Sequence, residues 1–328
     1  MRDIVADTRW AGDHGIGRYG REILHRLAHV PLRVGGRPMD PLDPIRLSVA
    51  LREQGRGRIF FSPGYNGPLY ATEPYVFSIH DLNHIDRTEN ANKLKSLYYA
   101  AFMRPACRRA DVVFTVSEFS RQRIVEWAGV PEDRVVIVGN GVNPAFCPEG
   151  PRHIRDRPYF LCVSNRRLHK NEPRVVAALA GAAVDDAGLV FSGFPTPQLQ
   201  ALIDSHGLGR RVTFAGPVND AALASLYRGA IATLFPSLYE GFGLPVIESM
   251  ACGTPVLTSN TTALPELAAA AALLVDPEST DAIAGGITRL YQDGELRLQL
   301  RAAGLARARA FTWSDVATRA RYALERIG

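Results

Sequence analysis

Short runs of β-branched and other apolar residues recur along the whole chain, and each has the length of a buried strand. In the first half they lie at residues 4–7, 58–62, 75–80, 112–116 and 135–138. In the second half they lie at residues 159–163, 189–193, 212–216, 231–235, 255–258 and 272–275. Segments with apolar residues at i, i+3 and i+4 separate many of these runs and predict helices, among them residues 20–28, 120–128 and 173–180. Because strands that alternate with helices form parallel sheets covered on both faces, the pattern predicts an α/β fold.

The alternation breaks at residues 144–158, where PAFCPEGPRHIRDRP contains four prolines and few apolar residues. Such a segment is typical of an interdomain linker. We therefore expect two doubly wound, Rossmann-like domains facing a central cleft, an N-terminal one at residues 1–148 and a C-terminal one at residues 149–305. A C-terminal helix within residues 306–328 is expected to pack back on the N-terminal domain. Ligands of such sheets bind beyond the carboxyl ends of the strands.

Two further segments are harder to assign from their composition. Residues 31–57 are rich in proline, glycine and arginine, and no element is assigned to them. Residues 263–274 are rich in alanine and lie between strand patterns, so a packed helix is expected there.

The composition is that of a globular protein, with 328 residues, 46% hydrophobic and 22% charged. At about 150 residues per domain, the length agrees with two domains. No run of about 18 apolar residues occurs, so no transmembrane span is expected. The charged N-terminus lacks the apolar stretch of a signal peptide, and the expected location is the cytoplasm. The four cysteines form no C-x-x-C pair and are expected to be buried free thiols.

Basic residues outnumber acidic ones and give a formal net charge of +5. Of the 38 basic residues, all but Lys93, Lys95 and Lys170 are arginines. This excess favours an anionic partner such as a nucleotide or a phospholipid surface. Nucleic acid is not expected, because the sequence has no dense basic run and no interleaving of aromatic with basic residues.

The segment FPSLYEGFGLPVIESMACGTPVLTS at residues 235–259 has the residue types of an anion site. A strand is predicted to end at Phe235, and Pro245 suits the first position of a helix, where its missing N–H costs nothing. Free N–H groups around Gly243 and Leu244, together with the helix dipole, would attract a phosphate. Because Gly243 has no side chain, the phosphate could come close to the backbone.

Two glutamates flank this predicted anion site, eight residues apart. Glu248, one turn into the predicted helix, is placed to accept hydrogen bonds from the vicinal hydroxyls of a ribose. Glu240 is placed to bind hydroxyls of a sugar attached to the phosphate. The alternative is a tight strand-to-helix turn with two solvated glutamates, but the fixed arrangement of glutamates, glycines and proline favours a binding site.

The segment EGFGLPVIESMACGTPV resembles the E-x7-E signature of the retaining glycosyltransferases of family GT4, which have the two-domain GT-B fold. Other segments are similar to motifs of this family, in the family's order and along nearly the whole chain. They are GIGRY at 15–19, IHDL at 79–82, VSEFS at 116–120, NGV at 140–142, YFLCVSNRRLHKNEPRV at 159–175 and LPELAAAAALLVDP at 264–277. The chain departs from the pattern at Ser164, Ala269 and Ala270, where the family has glycine, glycine and a polar residue.

The resemblance implies roles for residues of the C-terminal half. Lys170 would neutralise the donor diphosphate, an interaction that strengthens as the leaving group develops charge. An arginine of the same loop would assist it, with Arg166 preferred to Arg167. Glu240 would orient the transferred sugar as a catalytic residue, and Glu248 would hold the ribose.

On the N-terminal side, the resemblance implies that Gly15 and Gly17 lie in a loop that reaches toward the diphosphate and the acceptor. His80, at the end of a strand, would contact the transferred sugar, and a hydrogen-bonded structural histidine is the alternative. A dinucleotide site on these glycines is disfavoured, because no acidic residue ends a strand about 20 residues later. Ser117 and Ser120 fit a helix cap.

The family's reaction moves a sugar from a nucleoside diphosphate to a hydroxyl and keeps the α configuration. The resemblance implies a front-face path in which the leaving diphosphate oxygen takes the acceptor proton, so that the enzyme acts by positioning and charge stabilisation. GDP-mannose is the first donor expected and a UDP-glucose-type donor the next. The acceptor would be a saccharide or a lipid-linked saccharide. No resident cofactor or metal is expected, because the sequence contains no D-x-D triad.

A lipid-linked acceptor would place the protein at the inner face of the cytoplasmic membrane, with the arginine-rich helix at residues 95–109 against anionic lipid. Two other functions share the architecture. A nucleotide-sugar epimerase would carry acid and base carboxylates instead of the E-x7-E arrangement. A nucleotide-sugar-binding subunit would have lost catalysis, against which the intact Glu240, Glu248 and Lys170 argue.

Overall fold

The computed structural model describes residues 2–10, 12, 15–87 and 93–327. The chain forms two compact units, one of Met1–Gly141 together with Thr312–Gly328 and the other of Val142–Phe311. Each unit contains one parallel six-stranded sheet, with helices between most consecutive strands. The predicted α/β fold class is therefore confirmed, and every predicted strand is present within two residues of its predicted bounds.

The first unit is built on a sheet whose strands come from the N-terminal part of the chain. Its strands are β1 (Ile4–Ala6), β2 (Val30–Pro31), β3 (Ile59–Ser62), β4 (Tyr75–Ser78), β5 (Val112–Thr115) and β6 (Val135–Ile137). The helices between them are α1 (Gly15–Arg26), α2 (Asp43–Gln54), α3 (Asn83–Asp86), α4 (Lys93–Tyr98), α5 (Arg104–Arg109) and α6 (Glu118–Ala128). The strand order is β2-β1-β3-β4-β5-β6.

The second unit repeats this architecture. Its strands are β7 (Tyr159–Cys162), β8 (Gly188–Phe191), β9 (Val212–Phe214), β10 (Thr233–Phe235), β11 (Val256–Ser259) and β12 (Leu273–Val275). Its helices are α7 (Glu172–Gly181), α8 (Pro197–Ser205), α9 (Asp220–Gly229), α10 (Leu244–Ala251), α11 (Leu264–Ala268), α12 (Thr280–Gln292) and α13 (Gly294–Ala308). The order β12-β11-β10-β7-β8-β9 reverses direction between β7 and β10, and such a switch point leaves a crevice at the carboxyl edge of the sheet.

The unbroken apolar runs of the strands follow from burial on both faces of each sheet. Phe60 and Phe61 are neighbours in β3 and are both almost completely buried. Because successive side chains of a strand point to opposite faces, they belong to different cores. Phe60 shares its core with Leu47 of α2, and Phe61 shares the other with Ile23 of α1.

The segment between the two sheets, residues 144–158, contains neither helix nor strand, but the units divide after Gly141 rather than after the predicted residue 148. The reason is that this segment packs on the second unit. Phe146 is buried with its ring 5.9 Å from that of Tyr227, and Arg228 donates hydrogen bonds to two backbone carbonyls of the segment.

The last helix, α14 (Trp313–Glu325), belongs to the first unit. Trp313 is 3% exposed, and its ring centroid lies 6.4 Å from that of Tyr19 in α1. The boundary predicted after residue 305 falls inside α13, whereas the chain enters the first unit only after Phe311.

Residues 263–274 differ from the single packed helix that was predicted. Helix α11 spans only Leu264–Ala268, and β12 begins at Leu273. Ala269 follows the helix with φ 48° and ψ −127°, a conformation that favours glycine. This is the position at which the GT4 pattern has a glycine, so the alanine is accommodated with backbone strain.

Replacing Ala269 by glycine is expected to stabilise the protein by about 1 kcal/mol, because relief of strain at positive φ outweighs the greater freedom of glycine in the unfolded chain. The alanine is exposed, so no buried contact is lost. Thermal unfolding should show a Tm higher by about 2–4 °C. Ala270→Gly is the matched control, because Ala270 is exposed and has no positive φ, and its Tm should fall or stay the same. A Tm that does not rise for Ala269→Gly contradicts the strain.

The cysteines agree with the predicted free thiols, except that Cys147 is half-buried. Cys107, Cys162 and Cys252 are buried. Burial raises the pKa of the Cys107 and Cys252 thiols to about 12, and it also raises the pKa of Cys162. These thiols therefore stay protonated at neutral pH and act as small apolar side chains.

Candidate active site

The predicted site residues of the second unit lie on the loops that follow β7 and β10 and in the first two turns of α10. These strands are neighbours at the point where the strand order reverses. Lys170 ends a 3₁₀ turn (Leu168–Lys170) after β7, and Glu240 lies between β10 and α10. The Leu238 N–H donates to the His169 carbonyl at 2.7 Å, which joins the two loops at the carboxyl edge of the sheet.

Lys170 and Glu240 form an ion pair, with Nζ 2.6 Å from Oε1. Their side chains are 13% and 12% exposed, so the pair is largely shielded from solvent. Ser237 Oγ donates to the same Glu240 oxygen at 2.6 Å. The Lys170 ammonium also lies 5.0 Å from the centroid of the Phe235 ring, within cation–π range. The fold therefore brings two predicted catalytic groups into direct contact.

Asn171 holds the lysine loop in place. It is 3% exposed and has φ 61°, a left-handed conformation that asparagine tolerates better than most residues. Its side-chain amide donates to the Pro236 carbonyl at 2.9 Å and to the Pro277 carbonyl at 2.7 Å. Because Pro236 begins the loop that carries Glu240, Asn171 fixes Lys170 beside its partner.

The helix predicted near Gly243 is present as α10, which begins at Leu244 and places Pro245 at its second position rather than its first. Gly243 precedes the helix with φ 109°. A Cβ there would lie 2.7 Å from Leu264 Cδ2, so both the backbone conformation and the packing require glycine. The N–H of Leu244 is in the first turn and has no intrahelical acceptor, as an anion site at this end needs.

Glu248 lies one turn into α10, as predicted, but it is only 5% exposed. The hydroxyl of Tyr227 in α9, itself fully buried, donates to Glu248 Oε2 at 3.0 Å. The carboxylate is therefore held in one orientation by a residue that sequence patterns did not identify.

The two arginines of the lysine loop, Arg166 and Arg167, differ in the contacts of their side chains, which bears on the predicted preference for Arg166 at the diphosphate. The Arg166 guanidinium pairs with buried Glu172 and donates to the carbonyls of Ser192 and Phe194. Arg166 is committed to these protein contacts, and its backbone has φ 62°. Arg167 is exposed, and no residue that the structure describes accepts a hydrogen bond from its side chain. The Arg166 guanidinium is therefore occupied by protein partners, whereas that of Arg167 is accessible, and the preference for Arg166 stays an untested prediction.

In the first unit, Gly15 and Gly17 form the first turn of α1, whereas the sequence predicted a loop there and a helix only from residue 20. Glycine lowers helix propensity, which obscured the start of the helix. A Cβ on Gly17 would lie 2.6 Å from backbone atoms of Gly12, so this glycine permits close packing. At Gly15 a Cβ would meet no atom of the described residues within 4 Å.

His80 follows β4 and is half-buried. Its Nε2 lies 3.3 Å from the Pro63 carbonyl oxygen, and its ring meets that of Tyr19 edge-on at 4.5 Å. Ser120 Oγ donates to the His80 carbonyl at 3.0 Å, and the predicted cap is present, because the Ser117 side chain accepts from the Ser120 N–H. These contacts agree with the structural alternative for His80, and its role toward the transferred sugar stays a prediction.

The sequence analysis did not identify three residues that hold the site in place: Asn171, Tyr227 and Ser237. Asparagine directly before a helix is a common cap, but the Asn171 side chain makes no cap hydrogen bond and donates to the two proline carbonyls instead, so this signal would not have revealed its role. Tyr227 and Ser237 carry no such signal, since the sequence alone gives no sign of the contacts they make with Glu248 and Glu240.

Metal-binding side chains do not cluster in the part of the chain that the structure describes, where no three His, Cys, Asp or Glu residues are arranged to hold an ion. Among the described helices, none combines the length and the apolar content needed to cross a bilayer.

Comparison with known proteins gives two matches to family profiles that together cover most of the chain. Residues 8–146 match the profile described as Glycosyltransferase Family 4, and residues 148–307 match the one described as Glycosyl transferases group 1. The division between the two matches lies close to the division between the two units.

Individual relatives agree with these profiles. The O-antigen chain mannosyltransferase B of Escherichia coli is 30% identical over 96% of this chain and 86% of that protein. The fold is shared with sucrose-phosphate synthase from Thermosynechococcus elongatus, at TM-score 0.79, 20% identity and 99% coverage of both chains. It is also shared with Anabaena HepE in complex with UDP-glucose, at TM-score 0.79, 17% identity and coverage of 99% of this chain and 100% of that one.

These matches confirm the predicted fold family and enzyme class. The chain belongs to the group 1 glycosyltransferases of glycosyltransferase family 4, and its fold is GT-B.

Proposed function

We propose that this glycosyltransferase moves a hexosyl group from a nucleoside-diphosphate sugar to a hydroxyl of a saccharide or lipid-linked saccharide, and that the product keeps the anomeric configuration of the donor. Mannose is the preferred candidate for the hexosyl group. The observation that carries the proposal is the contact of Lys170 with Glu240 at the switch point of the second sheet, beside the start of α10. A cation and a helix N-terminus suit a diphosphate, and a neighbouring carboxylate suits sugar hydroxyls.

The diphosphate would be bound by Lys170, Arg167 and the N–H groups at Gly243–Leu244. Lys170 is held by Glu240 and Phe235 before substrate arrives, and the N–H groups are fixed at the start of α10. Arg167, whose exposed side chain no described residue engages, would take up its position when the diphosphate binds. The preorganised groups stabilise the charge that grows on the leaving diphosphate as the glycosidic bond breaks. The leaving oxygen would accept the acceptor proton, so the chain needs no separate strong base.

The two glutamates would hold the sugars at either side of the diphosphate. Glu240 would accept hydrogen bonds from hydroxyls of the transferred sugar, and Glu248, oriented by Tyr227, from those of the ribose. In the first unit, Gly15 and Gly17 at the start of α1 would serve the diphosphate and the acceptor, and His80 would serve the transferred sugar. No metal is assigned to the reaction, because the sequence contains no D-x-D triad to bind one at the diphosphate.

Mannose is the first choice of sugar because of the relative named O-antigen chain mannosyltransferase B, which matches nearly the whole chain. The name of that protein also favours a growing saccharide chain as the acceptor. A UDP-sugar is the second choice, because HepE, which shares the fold, binds UDP-glucose.

The proposal is tested by incubating the protein with GDP-mannose, UDP-glucose and related donors, each with and without a mannose-terminated saccharide. Acceptor-dependent release of the nucleoside diphosphate, with an α-linked product by NMR, is the expected result. An isomerised donor without transfer would instead indicate an epimerase. Tight binding without turnover would indicate a nucleotide-sugar-binding subunit.

Contact with an anionic membrane is part of the same proposal, because a lipid-linked acceptor would be presented there. The helical segment at residues 93–109 carries two large apolar side chains that are exposed, Leu94 at 78% and Leu97 at 64%. Lys95 lies between them. Apolar side chains beside basic ones are typical of segments that bind the interface of anionic bilayers.

The double variant Leu94→Ser/Leu97→Ser is expected to bind vesicles of phosphatidylglycerol and phosphatidylcholine about tenfold more weakly, because it loses apolar area that enters the interface. Flotation at low salt measures the bound fraction. Leu298→Ser on α13 is the matched control, because Leu298 is 63% exposed and lies in the other unit. Unchanged flotation of the double variant, or no flotation of the unaltered protein, contradicts membrane contact.

A further inference from the structure

Both contacts of the Glu240 carboxylate are made by the same oxygen. Lys170 Nζ and Ser237 Oγ each lie 2.6 Å from Oε1. No residue that the structure describes donates a hydrogen bond to Oε2. Ser237 is completely buried, and its hydroxyl has the His169 carbonyl, at 3.1 Å, as a second possible acceptor. The lysine and the glutamate keep some access to solvent.

The ion pair has a consequence for any anion that approaches Lys170. In this arrangement the charge of the ammonium is already neutralised by Glu240. An incoming diphosphate must take the lysine from the carboxylate, and it would also be repelled by that carboxylate at short range. Because both side chains are largely shielded from water, neither interaction is strongly screened.

We propose that Glu240 acts as an internal substitute for the donor diphosphate and exchanges partners when the donor binds. The diphosphate takes Lys170, and the released carboxylate accepts hydrogen bonds from hydroxyls of the transferred sugar. Ser237 is a positioning residue that keeps Oε1 in place while Oε2 faces the sugar. This inference rests on the proposed function, because it assigns the partners of Lys170 and Glu240 during binding.

The exchange makes the site discriminate between the donor and its product. An intact sugar nucleotide supplies both a diphosphate for Lys170 and hydroxyls for Glu240. The nucleoside diphosphate left after transfer supplies no hydroxyls to Glu240, and the carboxylate again competes for the lysine. Glu240 therefore weakens binding of the product and favours its release.

Calorimetric titration of inorganic pyrophosphate, GDP and UDP into the unaltered protein and Glu240→Gln tests the exchange. The glutamine variant keeps the shape of the side chain but removes the competing charge. It is expected to bind pyrophosphate and the preferred nucleoside diphosphate about tenfold more tightly, equivalent to about 1.4 kcal/mol. Affinity for the intact sugar nucleotide should rise less or fall, because glutamine is a poorer acceptor for its hydroxyls.

The gain should depend on Lys170. In a Lys170→Gln background, the change Glu240→Gln should improve pyrophosphate binding by about twofold or less, and the difference between the two backgrounds measures the coupling. An equal gain in both backgrounds would mean simple charge repulsion and would overturn the exchange. No gain in the single variant, or no pyrophosphate binding by either protein, would overturn it as well.

Ser237→Ala tests the positioning role through the ratio of two affinities, which general destabilisation of the protein would leave unchanged. It should lower the affinity for the intact sugar nucleotide relative to its nucleoside diphosphate by about tenfold, as expected for loss of one hydrogen bond to a charged group. Ser259→Ala is the matched control, because Ser259 is equally buried and donates to the Ser237 carbonyl without contacting Glu240. An unchanged ratio for Ser237→Ala, or the same change in both variants, contradicts the role.

Failure of the exchange and failure of the proposed function give different results. If pyrophosphate binds more tightly to Glu240→Gln but no sugar nucleotide binds or turns over, the exchange holds and the donor assignment is wrong. If sugar nucleotides are turned over while the variant shows no gain, the function holds and the exchange is wrong.

Discussion

Replacing Lys170 by glutamine is expected to lower kcat/KM for glycosyl transfer by about 10²–10³-fold, because the charge developing on the leaving diphosphate loses its fixed counter-ion. Lys170 is the only lysine of the second unit, and Asn171 and the carbonyl of Pro236 hold its loop in place. Release of nucleoside diphosphate at subsaturating donor measures the effect. The loss should appear mainly in kcat, because the interaction is stronger in the transition state than with bound donor.

Arg289→Gln is the control for this substitution. Arg289 is exposed on α12 of the same unit, so its replacement removes one positive charge without touching the site. Its kcat/KM should stay within about twofold of the unaltered protein, as is usual for surface changes. A folded Lys170→Gln protein, verified by circular dichroism, that loses less than about fivefold in kcat/KM contradicts the role of the lysine in leaving-group stabilisation.

Replacing Asn171 by alanine is expected to lower the free energy of unfolding by about 2–4 kcal/mol. Two carbonyls in a buried region lose their donor, and alanine is less stable than asparagine at φ 61°. Urea unfolding followed by circular dichroism should show the transition at a lower urea concentration. Activity should fall as well, because Lys170 would no longer be fixed beside Glu240.

Two companion variants separate the causes of this destabilisation. Asn171→Gly removes the hydrogen bonds but adopts positive φ freely, so it should lose about 1 kcal/mol less than Asn171→Ala. Asn165→Ala changes an exposed asparagine of the same loop and should alter stability by less than about 0.5 kcal/mol. Equal stability of Asn171→Ala and Asn165→Ala would contradict the anchoring role of Asn171.

The sheets could be predicted from the sequence because parallel strands are buried on both faces and leave unbroken apolar runs. Strand β2 was missed because it has only two residues, both exposed at the edge of its sheet. Helix α2 was missed in the segment rich in proline, glycine and arginine, although Leu47, Ala50 and Leu51 have helical spacing and are buried. The composition of that segment concealed a short periodic pattern.

The domain boundaries were predictable only approximately, because a linker can pack on either neighbour. The sequence around Phe146 does not indicate that this side chain is buried against the second unit. The end of α11 illustrates a related limit. Alanine has a high helix propensity, yet Ala269 adopts positive φ where the chain turns toward β12.

The candidate site was predictable where a motif places residues on loops that follow neighbouring strands. Lys170 and Glu240 were identified separately, and the fold brings them into contact. The different contacts of Arg166 and Arg167 could not be predicted from the sequence, because Arg166 pairs with Glu172 from a backbone with positive φ. Local sequence gives no signal for that conformation.

The division of the first unit between the two ends of the chain has a consequence for its biosynthesis. Trp313, Val316 and Leu324 of α14 are buried in the same core as Ile23 of α1. During translation, the second unit is complete in the nascent chain before these residues are added. An apolar face of α1 therefore stays uncovered until α14 has left the ribosome and can pack against it.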